Sequence, residues 1–524
     1  MKLRPYQQEA VDQAMKQWES GKQRVLLNLA TGAGKTVIFS AIIKQLLEEN
    51  RDNRILVLAH RSELLEQARD KIEAITHEKT ALEKAASWSL LNPHSVTIGS
   101  VQTFNSGVRL YYFDQNYFDY IILDECHHLS DGALNVLNYF PEAKILGVTA
   151  TPERSDMRNI SDYFEIEAFR YSMADATKDG YLCPIRVKNI PLKIDIQNVS
   201  ITKGDFATGE IAHAVEPYLD AIADKIVAVC RNRKTVIFLP VIKTSQKMTE
   251  ILSERGFRVA EVHGTSKDRK QILEDFALGK YDILCNSLLL TEGWDCPSVN
   301  TIICLRPTKS KGIYRQIVGR GTRLYPGKTE TLLLDFFWLT QQHDICRPSC
   351  LVASDEYEAM KMDQIIMKNH EMDLLVAQEL AKAEIFSEEK KSILGRLDKK
   401  TKYISPGELA VLLNCPDIAT YEPMYGWEKE EPSESQLETL YGKNIDIQLV
   451  HSKGLATLII GILFDRQSKN LCTPKQIRML QRYKIKHLEL WSFDMARNAL
   501  SILSSNGWKP SKMLWEMVKK VQLK

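Results

Sequence analysis

The chain has 524 residues, which is too long for one ordinary domain and predicts about three or four. Its 69 lysines and arginines nearly balance 67 aspartates and glutamates, so the net charge of +2 excludes binding to nucleic acid through overall charge. No apolar stretch approaches the ~20 residues that span a bilayer, and the ten scattered cysteines form no Cys-x-x-Cys pair. Together with an amino-terminal segment that lacks a signal-peptide core, this predicts a cytosolic protein without a membrane partner.

Short β-rich segments alternate with longer amphipathic segments over the first 350 residues. Strands that alternate with helices predict parallel sheets with helices on both faces. The apolar runs fall into two sets, so we predict two α/β lobes. The predicted buried strands are RVLLNL (24–29), RILVLA (54–59), YIILDE (120–125) and KILGVTA (144–150) in the first set, and TVIFLP (235–240), DILCNS (282–287), NTIICL (300–305) and TLLLDF (331–336) in the second.

The rest of the chain is predicted to be mostly helical. Residues 355–394 contain neither glycine nor proline and have apolar residues at roughly helical spacing, which predicts a long helical arm. Residues 421–435 have the composition of a linker. We therefore expect a first lobe over 1–165, a second lobe over 166–354, a helical arm over 355–405 and an accessory region over 406–524.

The accessory region contains two similar segments, 432–463 and 472–503, which align without a gap at a shift of 40 residues. Gln436 then pairs with Gln476, and each has a serine or threonine three residues before it. That spacing is typical of a helix-capping box, and apolar positions at helical spacing follow it. We predict a small helical module that is present twice; chance matching of leucine and isoleucine is the alternative.

A segment of small residues, ATGAGKT (30–36), directly follows the first predicted strand and precedes a helical pattern. This order allows backbone N–H groups to surround phosphates at a helix N-terminus. Lys35 would reach the β- and γ-phosphates of ATP, although the strict phosphate-loop pattern has glycine where this chain has Leu29. The predicted ATP-binding residues are Thr31, Gly32, Ala33, Gly34, Lys35 and Thr36.

The segment IILDECHHL (121–129) places two carboxylates at the end of a predicted buried strand. Asp124, with the hydroxyl of Thr36, would hold Mg²⁺, and Glu125 would orient and deprotonate an attacking water. A zinc site is the alternative, because a cysteine and two histidines follow. Zinc needs four convergent ligands, and no second pair lies within reach, so the pattern favours a nucleotide site.

These motifs together resemble the superfamily 2 helicases and translocases of the DExH type. The segment DECH and the later TATPER are similar to motifs II and III of that superfamily. The resemblance covers residues 1 to about 350 and is nearest to the group of the xeroderma pigmentosum B helicase, the bacterial repair helicase RadD and helicases of phage replication modules. It implies two tandem RecA-like lobes and a location in a bacterial or phage-host cytosol. Other segments match in order: LRPYQQEAV (3–11), LVLAHRSELLEQ (56–67), TIGSVQTF (97–104), VIFLPVIKTSQ (236–246), NSLLLTEGWDCP (286–297) and YRQIVGRGTR (314–323).

The resemblance also implies how the nucleotide is held. Gln7, with Arg4 near it, would bind the edge of the adenine base. Arg320 and Arg323, three residues apart on one helical face, would reach the γ-phosphate from the second lobe together with Gln316. Further members of the nucleotide site would be His127, as a relay toward residues 149–151, and Glu292, Gly293 and Asp295.

Loops at the strand ends would contact nucleic acid, mainly through its phosphates. The predicted contact residues are Arg61, Gln102, Thr103, His263, Gly264 and Thr291.

The predicted function is an ATP-dependent DNA helicase or translocase acting in replication, repair or recombination, on single-stranded or branched DNA. An RNA helicase is one alternative, because motifs of this kind do not read the 2′-hydroxyl reliably. A nucleotide-gated scaffold is the other, in which residues 406–524 recruit a protein partner.

Overall fold

The structure is a computed structural model that divides into two compact units, Met1–Leu380 and Ala381–Lys524. The first unit holds two seven-stranded sheets, and helices build the second. No helix of the described residues is long and apolar enough to cross a bilayer. The structure describes residues 3–59, 62–84, 87–150, 160, 163–190, 192, 194–202, 204–287, 290, 294–337, 345–394, 403–419, 421, 423, 426–483, 485 and 487–522.

The first lobe is a parallel sheet covered by helices. Its strands are β1 (Arg24–Leu29), β2 (Ile55–Ala59), β3 (Thr80–Glu83), β4 (Val96–Ser100), β5 (Tyr120–Asp124), β6 (Lys144–Thr149) and β7 (Ile166–Tyr171). Its helices are α1 (Pro5–Glu19), α2 (Lys35–Glu49), α3 (Ser62–Thr76), α4 (Val101–Phe104) and α5 (Asp131–Tyr139). The strand order is β3-β4-β2-β5-β6-β1-β7, and each neighbouring pair is parallel. The four predicted strands are therefore present in one α/β layer.

The strand β7 corrects the predicted end of the first lobe. It begins at residue 166, where we expected the second lobe to start, but it pairs with β1 along Val25–Leu29. The central strand β1 needs a partner on each side for its backbone groups, and β6 supplies only one of them. The first lobe therefore extends beyond residue 165.

The second lobe repeats this architecture. Its strands are β8 (Ile185–Asn189), β9 (Ile201–Thr202), β10 (Asp205–Phe206), β11 (Thr235–Phe238), β12 (Val259–Val262), β13 (Ile283–Asn286), β14 (Thr301–Cys304), β15 (Thr331–Asp335) and β16 (Glu371–Asp373). Its helices are α6 (Met173–Lys178), α7 (Thr208–Val215), α8 (Leu219–Cys230), α9 (Ile242–Glu254), α10 (Arg269–Ala277), α11 (Lys311–Gly319), α12 (Glu356–Asn369) and α13 (Leu374–Leu394). The large sheet has the order β12-β13-β11-β14-β15-β8-β16, while β9 and β10 form a separate ribbon.

The predicted helical arm is wrong as one continuous helix. His370, with φ +59°, ends α12, and the next three residues form β16, which pairs antiparallel with β8. The pairing covers the outer edge of β8 that would otherwise expose unpaired backbone groups. The absence of glycine and proline did not prevent this break, because the sheet edge offers hydrogen bonds that a continuous helix would forgo.

The second unit contains the predicted accessory region. Its helices are α14 (Pro406–Leu413), α15 (Pro416–Ala419), α16 (Gly426–Lys429), α17 (Glu434–Gly442), α18 (Lys453–Ser468), α19 (Pro474–Gln481), α20 (Phe493–Ser505) and α21 (Lys512–Gln522). Capping boxes begin both α17 and α19. The amide of Gln436 donates to the carbonyl of Lys453 at 3.5 Å, and that of Gln476 donates to the carbonyl of Phe493 at 3.3 Å. These bonds are equivalent under the shift of 40 residues, which supports the duplication.

A buried ion pair fixes the edge of the first sheet. Arg109 pairs with Glu83, which is fully buried and also accepts hydrogen bonds from the N–H and hydroxyl of Ser89 at 2.7 and 2.6 Å. Breaking a buried pair leaves an uncompensated charge, which costs about 3–5 kcal/mol. We expect Arg109→Ala to lower the free energy of unfolding by that amount in urea denaturation. Arg51→Ala, which removes an exposed pair, should change it by less than about 1 kcal/mol, and equal losses would contradict this difference.

Candidate nucleotide site

The segment 30–36 forms a tight loop between β1 and α2. Gly32 and Gly34 have φ values of +90° and +82°, and Gly34 is the residue that precedes α2. A Cβ atom on Gly34 would lie 2.7 Å from Nε2 of Gln7, so both the backbone conformation and the space require glycine there. The loop therefore has the shape that the sequence predicts for phosphate binding.

Lys35 and Glu125 form an ion pair although 90 residues separate them. The strands β5, β6 and β1 are consecutive neighbours, so the loop after β1 and the residue after β5 meet at the carboxyl edge of one sheet. Burial by itself raises the pKa of Glu125, but the charge of Lys35 and the hydrogen bond with His127 hold it well below its usual value. Glu125 is therefore ionised at neutral pH, as a proton acceptor must be.

His127 connects the ends of two strands. Its Nδ1 lies 3.1 Å from Oγ1 of Thr149 and 3.3 Å from Oε2 of Glu125. This is the neighbourhood predicted for His127, except that residue 151 lies outside the described residues. Glu125 has a φ of +50°, a strained backbone conformation of the kind that concentrates at functional sites.

The second lobe contacts the phosphate loop through the residues at the end of α11. A Cβ atom on Gly319 would lie 2.6 Å from Cγ2 of Thr31, so the backbone there packs directly against the loop. A Cβ atom on Gly32 would lie 3.7 Å from Cγ of Arg323. The segments 30–36 and 314–323 therefore line one cleft between the two lobes.

The two predicted arginines follow the last residue of α11, Gly319, so the prediction that they share one helical face is wrong. Their surroundings differ. Arg320 is 8% exposed, and its Nη1 donates to the carbonyl of Trp294 at 2.6 Å. Arg323 forms an ion pair with Asp295 and lies beside Gly32, and burial lowers the pKa of its guanidinium. Arg323 thus lies against the phosphate loop, and Arg320 is held by the carbonyl of Trp294.

Gln7 also contacts the phosphate loop. Its Nε2 donates to the carbonyl of Ala33 at 3.3 Å, and its Oε1 accepts from the N–H of Arg4 at 3.0 Å. The hydroxyl of Tyr6 donates to the same carbonyl at 2.7 Å, which ties α1 to the loop at two points.

Three tyrosines that the sequence analysis did not identify surround a cavity of about 660 Å³ beside α1. Tyr6 stacks on Tyr171 with ring centroids 4.1 Å apart, and Arg4 lies over the ring of Tyr181. Aromatic walls of this kind can stack a planar base. Only Tyr6 belongs to a segment that its sequence singles out, LRPYQQEAV; Tyr171 ends β7 of the first lobe, and Tyr181 follows α6.

The predicted nucleic-acid contacts follow strand ends in both lobes. Gln102, which is exposed, and Thr103 lie in α4 after β4, and the hydroxyl of Thr103 is 2.7 Å from that of Ser100. His263 and the exposed Gly264 follow β12. The remaining candidates, Arg61 and Thr291, lie outside the described residues, as do Glu292 and Gly293.

Two family models match the chain. The model described as type III restriction enzyme, res subunit, matches residues 1–154, and the helicase conserved C-terminal domain matches residues 219–325. The putative ATP-dependent helicase IRC3 of Saccharomyces cerevisiae is 30% identical over 383 residues, which cover 68% of this chain and 54% of that protein. The chain belongs to the superfamily 2 helicases.

Two solved structures are similar to this chain. A fragment of a putative HsdR subunit of a type I restriction enzyme from Vibrio vulnificus YJ016 is 29% identical, covers 64% of each chain and has a TM-score of 0.51. The type ISP restriction-modification enzyme LlaBIII, at 17% identity and a TM-score of 0.53, covers 99% of this chain and 41% of that chain, and shows the fold alone. The chain spans about half the length of the curated relatives that it matches.

The cleft of this superfamily 2 helicase suits a polar ligand. Thr31 Oγ1 and Gln316 Nε2 are buried and have no hydrogen-bond partner among the described residues, which is unusual for buried polar atoms. Thr36 and Asp124 offer a hydroxyl and a carboxylate oxygen, the hard donors that Mg²⁺ prefers. Burial and the charge of Glu125 raise the pKa of Asp124 to about 6, so at pH 7 its carboxylate is mostly ionised. The residues present therefore fit ATP with Mg²⁺.

Proposed function

We propose that this chain hydrolyses ATP between its two lobes and couples the reaction to movement along DNA. The observation that carries the proposal is the contact of Gly319 and Arg323 with the phosphate loop, next to the Lys35–Glu125 pair. A nucleotide bound there would contact charged groups from both lobes, so its hydrolysis could change the relative orientation of the two lobes.

The side chains divide the chemistry among them. Phosphate groups would compete with Glu125 for Lys35, because both are anions. Once the Glu125 carboxylate is released from Lys35, it can accept a proton from water. His127 holds that carboxylate at the end of β5, and Arg323 supplies positive charge from the second lobe. Mg²⁺, held by Thr36 and Asp124, would neutralise phosphate charge.

DNA is the polymer that we favour. The restriction-enzyme family model and the HsdR fragment support it, because restriction enzymes act on DNA. We assign the strand-end residues Gln102, Thr103, His263 and Gly264 to phosphate contacts, together with Arg61 and Thr291. Such binding depends on charge rather than on sequence, and it weakens as salt rises. We place the protein in the cytoplasm, with a role in replication, repair or recombination.

The rate of ATP hydrolysis with different polymers tests the proposal. We expect single-stranded or duplex DNA to stimulate turnover at least tenfold over the rate without polymer, and RNA to stimulate it less. Lys35→Ala should remove both the basal and the stimulated rates. Stimulation by RNA alone would instead establish the RNA helicase, and no stimulation by any polymer would favour the nucleotide-gated scaffold. A duplex with a 3′ or a 5′ single-stranded tail then shows the direction of movement.

A further inference from the structure

The two repeats of the accessory region share a fold but differ in charge. The segment 432–463 contains two basic and three acidic residues, whereas 472–503 contains six basic and two acidic residues. Equivalent caps and hydrogen bonds form both units, and among the additional cations Arg478 forms an ion pair with the buried Glu408 at 2.9 Å. Three exposed cations stand where the first repeat has uncharged residues: Lys475 for Ser435, Arg482 for Gly442 and Arg497 for Thr457.

An exposed tryptophan follows the second repeat in a strained conformation. Trp508 has a φ of +61°, which is uncommon for a bulky side chain, and it is 49% exposed. Its N–H donates to the carbonyl of Leu503 at 2.7 Å, and its carbonyl accepts from the hydroxyl of Tyr483 at 2.9 Å. These bonds hold the backbone in this conformation, and about half of the residue stays exposed. Strain that the surrounding structure maintains is typical of ligand-binding positions.

Basic residues flank Trp508 in the chain and follow the end of α19 that it contacts. The bond from Tyr483 brings the end of α19, with Arg482, to the loop, and Lys509 follows Trp508 directly. The helix α21 buries Leu514 and Val518 and exposes cations and a second tryptophan on its other face. We define the Trp508 surface as the exposed residues Arg482, Trp508, Lys509, Lys512, Trp515 and Lys519.

Acidic residues do little to neutralise this surface. From residue 472 to 524 the sequence has eleven lysines and arginines but three acidic residues. Of these, Asp494 lies 3.8 Å from Arg497 and Glu489 lies 3.5 Å from His487. The third, Glu516, is the acidic residue of α21. By contrast, Lys453 and Lys469, near the first repeat, form ion pairs with Glu430 and Asp465. The positive potential is therefore concentrated at the second repeat.

We propose that the Trp508 surface binds single-stranded nucleic acid. Its cations contact the phosphates, and the rings of Trp508 and Trp515 stack on bases, a combination that single strands require and that tolerates any sequence. The inference rests on the proposed function for the identity of the polymer. The site lies within the second unit and needs no ATP, so it gives the helicase a contact with the strand that persists through the hydrolysis cycle.

Removing three charges tests the phosphate contacts. The full chain without nucleotide is titrated against a fluorescein-labelled 30-nucleotide oligo-dT by anisotropy at several salt concentrations. We expect the triple variant Arg482→Gln, Lys509→Gln, Lys512→Gln to bind at least tenfold more weakly at about 0.1 M salt. The slope of log K against log salt should fall by about two, since each contact on a single strand contributes about 0.7.

The stacking contribution is tested separately. We expect Trp508→Ser, which introduces the residue found at the equivalent position 468, to weaken binding at least fivefold without changing the salt slope. A duplex probe should show a smaller loss than oligo-dT. An equal loss on duplex would overturn the stacking role of Trp508.

The control removes the same charge near the first repeat. The triple variant Lys429→Gln, Lys453→Gln, Lys469→Gln should bind oligo-dT within twofold of the parent. The proposal would be overturned if both triple variants lost the same affinity for oligo-dT, or if the Arg482 triple variant kept the parental affinity. In the second case an acidic protein would be the better candidate ligand for this surface. Both triples should keep the basal ATPase rate and the thermal midpoint of the parent. If DNA does not stimulate ATP hydrolysis but oligo-dT binding still depends on these residues, the proposed motor function is wrong and the proposed binding surface is supported.

Discussion

Glu125→Gln is expected to lower the rate of ATP hydrolysis by about 10²–10⁴-fold while leaving ATP binding intact. The neutral amide cannot accept a proton from water, yet it keeps the size of the carboxylate beside Lys35 and His127. We expect the loop 30–36 to keep its shape, because glutamine at position 125 can contact the same side chains. Steady-state ATPase assays and binding of a fluorescent ATP analogue measure the two effects separately.

Glu165→Gln is the matched control for that substitution. Glu165 accepts hydrogen bonds from the N–H groups of Gln23 and Arg24, at the amino end of β1 and hence at the edge of the sheet opposite to the phosphate loop. Its turnover should equal that of the parent. If Glu125→Gln hydrolyses ATP at the parental rate, the assignment of Glu125 as the general base is wrong.

The second large effect is expected from Arg323→Ala. An arginine that stabilises the transferring phosphoryl group typically contributes 10³–10⁵ in rate, and Arg323 lies beside the phosphate loop. We expect kcat to fall by about that factor with little change in KM or in the urea midpoint of unfolding. Arg323→Lys should recover only a small part, since an ammonium lacks the planar fork of the guanidinium.

Arg320→Ala should behave differently, because Arg320 also holds the carbonyl of Trp294 in a buried position. Losing a charged hydrogen bond there costs about 1.5–3 kcal/mol of stability in addition to any loss of turnover. Arg231→Ala, at an exposed position at the end of α8, should leave both properties unchanged. Parental kcat in Arg323→Ala would contradict the role of the second lobe in catalysis.

Strand position could be read from the sequence where apolar residues run without interruption. The eight predicted strands are all present, because a strand buried on both faces needs apolar residues at every position. The strand β4, VTIGS, was recognised only as part of a helicase-like segment, since threonine, glycine and serine interrupt it although all five residues are buried. Short edge strands such as β16 have no apolar run at all.

The phosphate loop, the paired carboxylates, the arginine segment and the repeated capping boxes could be predicted from sequence, because each depends on residues that are close in the chain. The folded structure was needed to show which strand borders β1, where the predicted arm breaks, that Arg323 lies against the loop, and that Tyr171 and Tyr181 join Tyr6. These are long-range contacts. They depend on which strand edges and buried polar groups pair with each other once the whole chain has folded. The spacing of residues along the chain does not specify these pairings.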